Sequence, residues 1–173
     1  MDDSRNLQDH FKGLSETEIV CRLDHNGVQL EIAIENTLRD YNMGSIVRNA
    51  NAFGVRTVHV IGRKQWNKRG AMMTDKYLHI KYYVDSESFQ DTMKASDIPI
   101  FAIDNNCISE SIMGTKLPKK MVMLFGQEGP GLSDKLRKIA IVTLHIPQKG
   151  STRSMNVGVA SGIALYEWAR QNR

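Results

Sequence analysis

Short apolar segments alternate with amphipathic segments along most of the chain, and this alternation limits the possible folds more than any other feature. The strongest segments are LEIAIEN (30–36), TVHVIG (57–62), IPIFAID (98–104), MVMLFG (121–126) and IVTLHIP (141–147), with HIKYYV (79–84) as a further strand candidate. Helical periodicity predicts helices over 45–54, 86–96, 133–140 and 155–170. Strands that are apolar on both faces and separated by helices predict an α/β domain, whose mainly parallel sheet is covered by helices on both faces.

The domain organisation follows from length and polarity. The chain has 173 residues, of which 41% are hydrophobic and 24% charged, and these values fit one globular domain with its own core. Residues 1–29 are polar and predict a short N-terminal extension, in which Ser15 and Glu18 have the spacing of a helix capping box. We expect residues 30–173 to form the domain itself.

Several classes of protein are disfavoured by composition. No apolar run reaches the roughly 18 residues that cross a bilayer, and the polar, acidic start is unlike a secretory signal. Cys21 and Cys107 lie far apart and the five histidines are scattered, so neither a disulfide framework nor a metal site is expected. The sequence predicts a cytoplasmic protein with reduced thiols and no membrane partner.

Positive charge is concentrated in one stretch, residues 62–83, which we call the basic segment. It contains one acid, Asp75, and six basic residues: Arg63, Lys64, Lys68, Arg69, Lys76 and Lys81. Its aromatic residues are Trp66, Tyr77, Tyr82 and Tyr83. Basic side chains neutralise phosphates and aromatic rings stack on bases, so one interpretation is a nucleic-acid surface. The alternative is a solvated loop whose tyrosines belong partly to the core.

Polar residues follow three of the predicted strands, where ligands bind in open α/β sheets. In the first cluster, residues 35–55, Asn42 precedes a helix start at Gly44 and Ser45, and Arg48 follows about a turn and a half later. Free backbone N–H groups at such a helix start can bind an anion. The alternative is that Asn42 only caps the helix and Arg48 is a surface arginine.

The second cluster is LFGQEGPGLS, residues 124–133. Gly126, Gly129 and Gly131 allow a tight turn and a close approach of backbone to a ligand, with Glu128 held inside the loop. The spacing differs from the GxGxxG dinucleotide motif. The alternative is a simple strand-to-helix turn capped by Ser133.

The third cluster is STRSMNVGVASGIALYEW, residues 151–168, where Ser154 and Asn156 flank a helix start. The alternative is that Ser154 is the N-cap and Asn156 is a polar residue of the first turn. This interpretation explains one of the two polar side chains well, but it explains the presence of both poorly. A ligand site at this helix start explains both.

These three clusters, in this order, resemble the motifs of the SpoU/TrmH-type RNA ribose 2′-O-methyltransferases of the SPOUT superclass. The matching residues are 42–48 with Phe53-Gly54, then 125–132, then Ile146-Pro147 with 154–157 and Ala160. The similarity extends over roughly residues 30–170, and no departure occurs at the matched positions.

The resemblance implies a deep trefoil knot in the C-terminal part, a rare exception to unthreaded chain connections. It implies that S-adenosylmethionine binds in the knot, and that the chain acts as a homodimer on tRNA or rRNA. The implied cofactor contacts are Ala102, Ile103, Asp104, Gly126, Glu128, Gly129, Ile146, Ser154 and Met155. Gly158, Ser161 and Gly162 would allow tight helix packing beside the knot.

The resemblance also implies a catalytic set, which consists of Arg48, Asn42, Glu128, Ser154 and Asn156. In such enzymes the motif-one arginine is proposed to assist deprotonation of the ribose hydroxyl. A guanidinium remains protonated at neutral pH, so we expect Arg48 to stabilise the developing alkoxide or to bind the adjacent phosphate. Lys68 and Arg69 become the candidate RNA-binding residues of the basic segment.

Two other functions are compatible with parts of this pattern. A knotted RNA-binding module without catalysis would keep the fold, but the intact catalytic set argues against it. A nucleotide-binding oxidoreductase would keep the α/β sheet, but the absent GxGxxG motif and the late glycine loop argue against it.

Overall fold

The fold is built on a parallel β-sheet. The computed structural model describes residues 7–37, 42–105, 108–152 and 154–172, so residues 1–6 of the predicted extension and Cys107 lie outside it. The strands in the described ranges are β1 (Leu30–Asn36), β2 (Thr57–Gly62), β3 (His79–Tyr83), β4 (Ile100–Ile103), β5 (Glu110–Ser111), β6 (Met121–Phe125) and β7 (Val142–His145). They form one sheet in the order β3-β2-β1-β6-β4-β7-β5, and every neighbouring pair is parallel.

Helices pack on both faces of this sheet. They are α1 (Glu16–His25), α2 (Met43–Ala52), α3 (Ser86–Ser96), α4 (Asp134–Ile139) and α5 (Val157–Asn172), with short 3-10 helices at Asp9–Phe11, Lys68–Ala71 and Thr74–Tyr77. None of these described helices combines the length and apolarity that a membrane-crossing segment needs. The predicted capping box of α1 is present, because the Ser15 side chain accepts from the Glu18 backbone and Glu18 accepts from the Ser15 N–H.

Two hydrophobic cores lie on opposite faces of the sheet. Ile32 and Ile34 of β1 belong to the core that contains residues of α2 and α5, and Ala33 belongs to the core that contains residues of α3 and α4. Alternate residues of a strand face opposite sides, so a buried strand must be apolar throughout. The predicted α/β architecture with a parallel sheet covered on both faces is confirmed.

Some element boundaries differ from the sequence predictions. The last helix begins at Val157, two residues later than predicted, because Asn156 is its N-cap: Asn156 Oδ1 accepts from the Val159 N–H at 3.2 Å, and its carbonyl accepts from Ala160 at 2.9 Å. The assignment of this cap to Ser154 is therefore wrong. Strand β5 was not predicted, since it has two residues and is held by pairing with β7.

Helices α2 and α5 are in close contact through small residues. A Cβ atom on Gly158 would lie 2.9 Å from Ser45 Cβ. Asn49 Nδ2 donates to the Gly158 carbonyl at 2.8 Å and to Ser161 Oγ at 3.0 Å. The predicted tight helix packing is confirmed, and it brings the helix of the first motif against the helix of the third.

Candidate active site

Three side chains, one from each motif, form a continuous hydrogen-bonded chain beyond the carboxyl end of the sheet. Asn156 Nδ2 donates to Asn42 Oδ1 at 2.7 Å, and Asn42 Nδ2 donates to a carboxylate oxygen of Glu128. Asn42 occupies the N-cap position of α2, but its side chain makes no capping bond there. The simple capping interpretation of Asn42 is therefore wrong, because its side chain is used to join the three motifs.

The glycine loop of the second motif has a backbone that requires glycine. Gln127 and Gly131 exchange two backbone hydrogen bonds of 3.1 Å, which close the loop on itself. Gly129 and Gly131 have φ values of 96° and 70°, a region that residues with a Cβ rarely occupy. A Cβ on Gly126 would lie 2.3 Å from the carbonyl carbon of Gly131. The loop therefore approaches its own start more closely than any side chain permits.

Two carboxylates hold the end of this loop. The Leu132 N–H donates to Asp104 Oδ2 at 3.3 Å, and the Ser133 N–H donates to Glu35 Oε2 at 2.8 Å. Arg137 Nη2 also donates to Asp104 Oδ2, at 3.1 Å. The Ser133 side chain accepts from the Leu136 N–H at the start of α4, so the predicted cap is present in addition to the loop.

A cavity of about 220 Å³ opens beside the glycine loop, between the ends of β4, β6 and β7 and the start of α5. Eight of the nine predicted cofactor contacts line it: Ile103, Asp104, Gly126, Glu128, Gly129, Ile146, Ser154 and Met155. The ninth, Ala102, has its side chain in the core shared with α3 and α4, and its predicted contact concerned the backbone. The predicted residues are thus gathered around one cavity.

The cavity also contains residues that the sequence reasoning missed. They are Asn105, Gln127, Gly131, Leu144, His145, Gln148, Val157 and Ala160, none of which was predicted as a cofactor contact or a catalytic residue. Asn156, predicted as catalytic, also lines the cavity. His145 is half-buried, and its Nδ1 lies 3.0 Å from Ser109 Oγ. His145 is the last residue of β7, so the rule that ligands bind at the carboxyl ends of strands would have found it.

The five predicted catalytic residues fall into two groups. Asn42, Glu128, Ser154 and Asn156 lie together, since the last three line the cavity and Asn42 is bonded to two of them. Arg48 is exposed on α2, does not line the cavity, and makes no hydrogen bond or ion pair with the described residues. Its guanidinium is therefore available to a ligand that approaches from outside.

The basic segment is packed against the start of α2. A Cβ on Gly44 would lie 2.8 Å from Gly70 Cα, so the 3-10 helix Lys68–Ala71 is in backbone contact with the helix that follows Asn42. Lys68 and Arg69 of this 3-10 helix are exposed. This contact places the basic segment next to the Glu128–Asn42–Asn156 chain.

The charges of the basic segment are not equivalent. Lys68 Nζ pairs with Asp75 at 2.7 Å, and this hydrogen bond raises the pKa of the Lys68 ammonium. The Arg69 side chain is exposed and makes no ion pair within the described ranges. Tyr77 is buried and Tyr83 half-buried, so these two serve the core, as the alternative interpretation of the segment expected, whereas Tyr82 is 39% exposed.

No group of His, Cys, Asp and Glu side chains suited to a metal ion occurs among the described residues. The polar groups at the cavity are instead amides, hydroxyls, carboxylates and backbone N–H groups. Such groups can bind an organic ligand by hydrogen bonds, and apolar walls such as Ile146 and Val157 can pack against its flat or aliphatic parts.

The chain is similar in sequence and structure to several known RNA-modifying proteins. A tRNA (guanosine(18)-2′-O)-methyltransferase of Borreliella burgdorferi is 26% identical over 140 residues, which are 79% of this chain and 64% of that protein. The crystal structure of an A. aeolicus TrmH/SpoU tRNA modifying enzyme matches with a TM-score of 0.77 and 26% identity, over 90% of this chain and 83% of that one.

An AdoMet-bound rRNA methyltransferase from Sinorhizobium meliloti matches with a TM-score of 0.73 and 27% identity, over 82% of this chain and 56% of that one. The chain thus spans less than two thirds of the length of the Borreliella and Sinorhizobium proteins. The family model described as "SpoU rRNA Methylase family" matches residues 29–166, which include all three motifs. The chain belongs to the SpoU rRNA Methylase family.

Proposed function

We propose that this protein transfers a methyl group from S-adenosylmethionine to the 2′-hydroxyl of a ribose in tRNA or rRNA. The observation that carries the proposal is the hydrogen-bonded chain Glu128–Asn42–Asn156, which unites the three motifs at the mouth of the cavity. The names of the relatives support the reaction, and the AdoMet-bound Sinorhizobium structure supports the cofactor.

The cavity residues fit such a cofactor. The glycine loop presents backbone rather than side chains to the cavity at Gly126 and Gly129, and the partly buried Ile146 and Val157 offer apolar surface for a purine ring. When bound, S-adenosylmethionine supplies an electrophilic methyl carbon attached to a sulfonium. The residues proposed to hold it are Ala102, Ile103, Asp104, Gly126, Glu128, Gly129, Ile146, Ser154 and Met155.

The catalytic residues orient the ribose rather than supply a strong base. Asn42 and Asn156 are fixed by each other and by Glu128, so a ribose bound to them needs little reorganisation before it reacts. A guanidinium is a cation at neutral pH, and Arg48 is exposed, so its side chain can bind the phosphate beside the ribose and stabilise the developing alkoxide. The proton then passes to phosphate or water. Ser154, at the edge of the cavity, completes the set.

The basic segment is the proposed RNA-facing surface. Its contact with α2 at Gly44 and Gly70 places it beside the catalytic chain. Arg69 is the better candidate for a phosphate contact, because Lys68 already pairs with Asp75. Such phosphate contacts would hold the RNA in position but would not select its sequence.

A second copy of this chain is the proposed partner for one face of α5. Val159, Ile163 and Tyr166 are spaced at helical intervals and are 56%, 38% and 63% exposed, so they form an apolar stripe on one side of the helix. Because α5 packs on α2, a dimer formed through this stripe would lie close to Arg48. Sedimentation velocity tests it: the wild-type chain should sediment as a dimer, and Ile163→Asp should sediment as a monomer.

The remaining proposals follow from family membership. We infer that the C-terminal part forms the trefoil knot, that residues 1–29 are an extension of a methyltransferase domain at 30–173, and that the protein works in the cytoplasm. The match of the family model to residues 29–166 supports the domain boundary.

The function is tested by methyl transfer from labelled S-adenosylmethionine to total RNA, followed by fractionation and nuclease mapping. Label in a 2′-O-methyl nucleotide is the expected result, and the fraction that carries it distinguishes tRNA from rRNA. A protein that binds both S-adenosylmethionine and RNA but transfers no label would instead be a knotted RNA-binding module without catalysis.

A further inference from the structure

Two polar residues end strand β1, and both are buried. Glu35 is 5% exposed and Asn36 is 0% exposed. Buried polar side chains are normally retained because they satisfy particular hydrogen bonds. Successive residues of a strand point to opposite faces, so Glu35 is on the side of α3 and α4 and Asn36 on the side of α2 and α5.

Asn36 fastens the start of the basic segment. Its Nδ2 donates to the Arg63 carbonyl at 2.6 Å and to the Gln65 carbonyl at 3.2 Å, and its own carbonyl accepts from the Arg63 N–H at 2.8 Å. A Cβ on Gly62 would lie 2.8 Å from the Asn36 carbonyl oxygen, so the two strand ends are in close contact. The direction in which the basic segment leaves the sheet is therefore set by Asn36.

Glu35 fastens the end of the glycine loop. Its Oε2 accepts from the Ser133 N–H at 2.8 Å, next to the bond between the Leu132 N–H and Asp104. Gly126, Glu128 and Gly129 of that loop line the cavity. Glu35 itself does not line the cavity, so any influence on a bound cofactor must act through the loop.

We infer that Glu35 and Asn36 are positioning residues, and that each serves one of the two substrates from its own face of strand β1. Glu35 holds the loop that binds the cofactor, and Asn36 holds the segment that binds the RNA. This inference rests on the proposed function, and it predicts that neighbouring residues have separate kinetic effects.

The kinetic test compares the two positions. Asn36→Asp keeps the side-chain volume but replaces the amide donor with a carboxylate that repels the two carbonyls, and Asn36→Ala removes the contact with less repulsion. Both should raise KM for RNA by roughly tenfold, the effect of one or two lost hydrogen bonds, with KM for S-adenosylmethionine unchanged. Glu35→Ala should instead raise KM for S-adenosylmethionine and leave KM for RNA unchanged. Glu35→Gln, which keeps an acceptor oxygen, should retain most of the cofactor affinity.

A control tests whether the loss of any amide-to-carbonyl hydrogen bond has the same effect. The Asn26 amide also donates to a backbone carbonyl, that of Arg22 at 3.2 Å, but it precedes β1 at the opposite end of the strand. Asn26→Ala should leave both KM values unchanged. If the Asn36 and Glu35 variants raise both KM values together, the division of roles is wrong.

A second readout does not depend on catalysis. The chain has two tryptophans, Trp66 in the basic segment and Trp168, which is 2% exposed in the core. Acrylamide quenching of the wild-type protein therefore reports mainly on Trp66. Asn36→Asp should increase this quenching while Glu35→Ala should not, and unchanged quenching in Asn36→Asp would overturn the inference. Absence of methyl transfer by the wild-type protein would instead overturn the proposed function and leave the quenching result to decide the inference.

Discussion

Replacing Gly126 with alanine should destabilise the glycine loop more than a glycine-to-alanine change at any other position of the loop. The new Cβ would lie 2.3 Å from the Gly131 carbonyl carbon, 2.4 Å from the Leu132 nitrogen and 2.6 Å from the Gly131 oxygen. All three are backbone atoms, so no side-chain rotation can relieve the clash. The loop must open or shift.

The magnitude follows from what opening requires. The Gln127–Gly131 pair would lose two backbone hydrogen bonds, each worth about 0.5–1.5 kcal/mol. Forcing an extra methyl group into a packed interior costs about 1–3 kcal/mol. We therefore expect the free energy of unfolding of Gly126→Ala to fall by about 2–6 kcal/mol, together with loss of measurable cofactor binding.

Two other glycines provide matched controls. At Gly129 a Cβ meets no atom within 4 Å, but φ is +96°, so Gly129→Ala should cost only about 1–2 kcal/mol of backbone strain. At Gly114 a Cβ also meets no atom within 4 Å and φ is not positive, so Gly114→Ala should be neutral or stabilise by about 0.4–1 kcal/mol.

Urea unfolding and calorimetric titration with S-adenosylmethionine measure these differences. The expected order of destabilisation is Gly126→Ala, then Gly129→Ala, then Gly114→Ala. A Gly126→Ala protein as stable as Gly129→Ala, with normal cofactor binding, would show that the close approach within the loop is not needed and would refute the reasoning.

Three further predictions concern single charged side chains. Arg48→Ala should lower kcat by about 100- to 1000-fold, because a charge that stabilises the transition state is lost, while a direct titration shows cofactor affinity unchanged; near-normal turnover would exclude this role. Arg69→Ala should flatten the slope of the logarithm of the RNA-binding constant against the logarithm of the salt concentration by about 0.7–0.9. Lys68→Ala should flatten it by less, since Lys68 is already paired with Asp75. Equal slopes for the wild type and both variants would show that the basic segment is a solvated loop. Burial raises the pKa of Glu31, but the hydrogen bond and charge of His59 outweigh it and the net pKa is lowered. Its stabilisation is therefore present above the unfolded pKa and is lost as pH falls through the folded pKa. Glu31→Gln should destabilise by about 1 kcal/mol at pH 7, and in denaturant titrations this difference should shrink as the pH falls below the ordinary glutamate pKa.

Six of the seven described strands were predictable, because a parallel sheet buried on both faces leaves a direct mark on local sequence, whereas their order within the sheet was not predicted. Strands β1 and β2 and helix α3 have the predicted boundaries. The start of α5 was not predictable locally, because Asn156 acts as the cap while its amide reaches Asn42, 114 residues away in the sequence. The role of Glu35 was not predictable for the same reason, because its partner Ser133 is 98 residues away in the sequence.

The candidate site was predictable as a set of motifs but not as an arrangement. The motifs identified the cavity residues, because strand ends and glycine loops have recognisable residue types. They did not show that Lys68 is paired with Asp75, that Arg48 is separate from the cavity, or that the Asn36 amide orients the basic segment. Each of these depends on tertiary contacts that leave no periodic pattern.

Helix α2 is the element through which the two proposed substrate sites can influence each other. Its start contacts the basic segment at Gly44 and Gly70, and its Asn49 binds the backbone and side chain of α5. The Asn42 side chain at the same start binds Glu128 of the glycine loop. A shift of the basic segment on RNA binding would therefore move Asn42, and with it the carboxylate that lines the cofactor cavity. Because these contacts are close-packed or hydrogen-bonded, a displacement of Gly70 is transmitted rather than absorbed, and we expect RNA bound at residues 68–71 to be thermodynamically coupled to the cofactor through Asn42. Asn36 acts at the other end of the basic segment, on Arg63 and Gln65, so its variants weaken RNA binding without moving this contact.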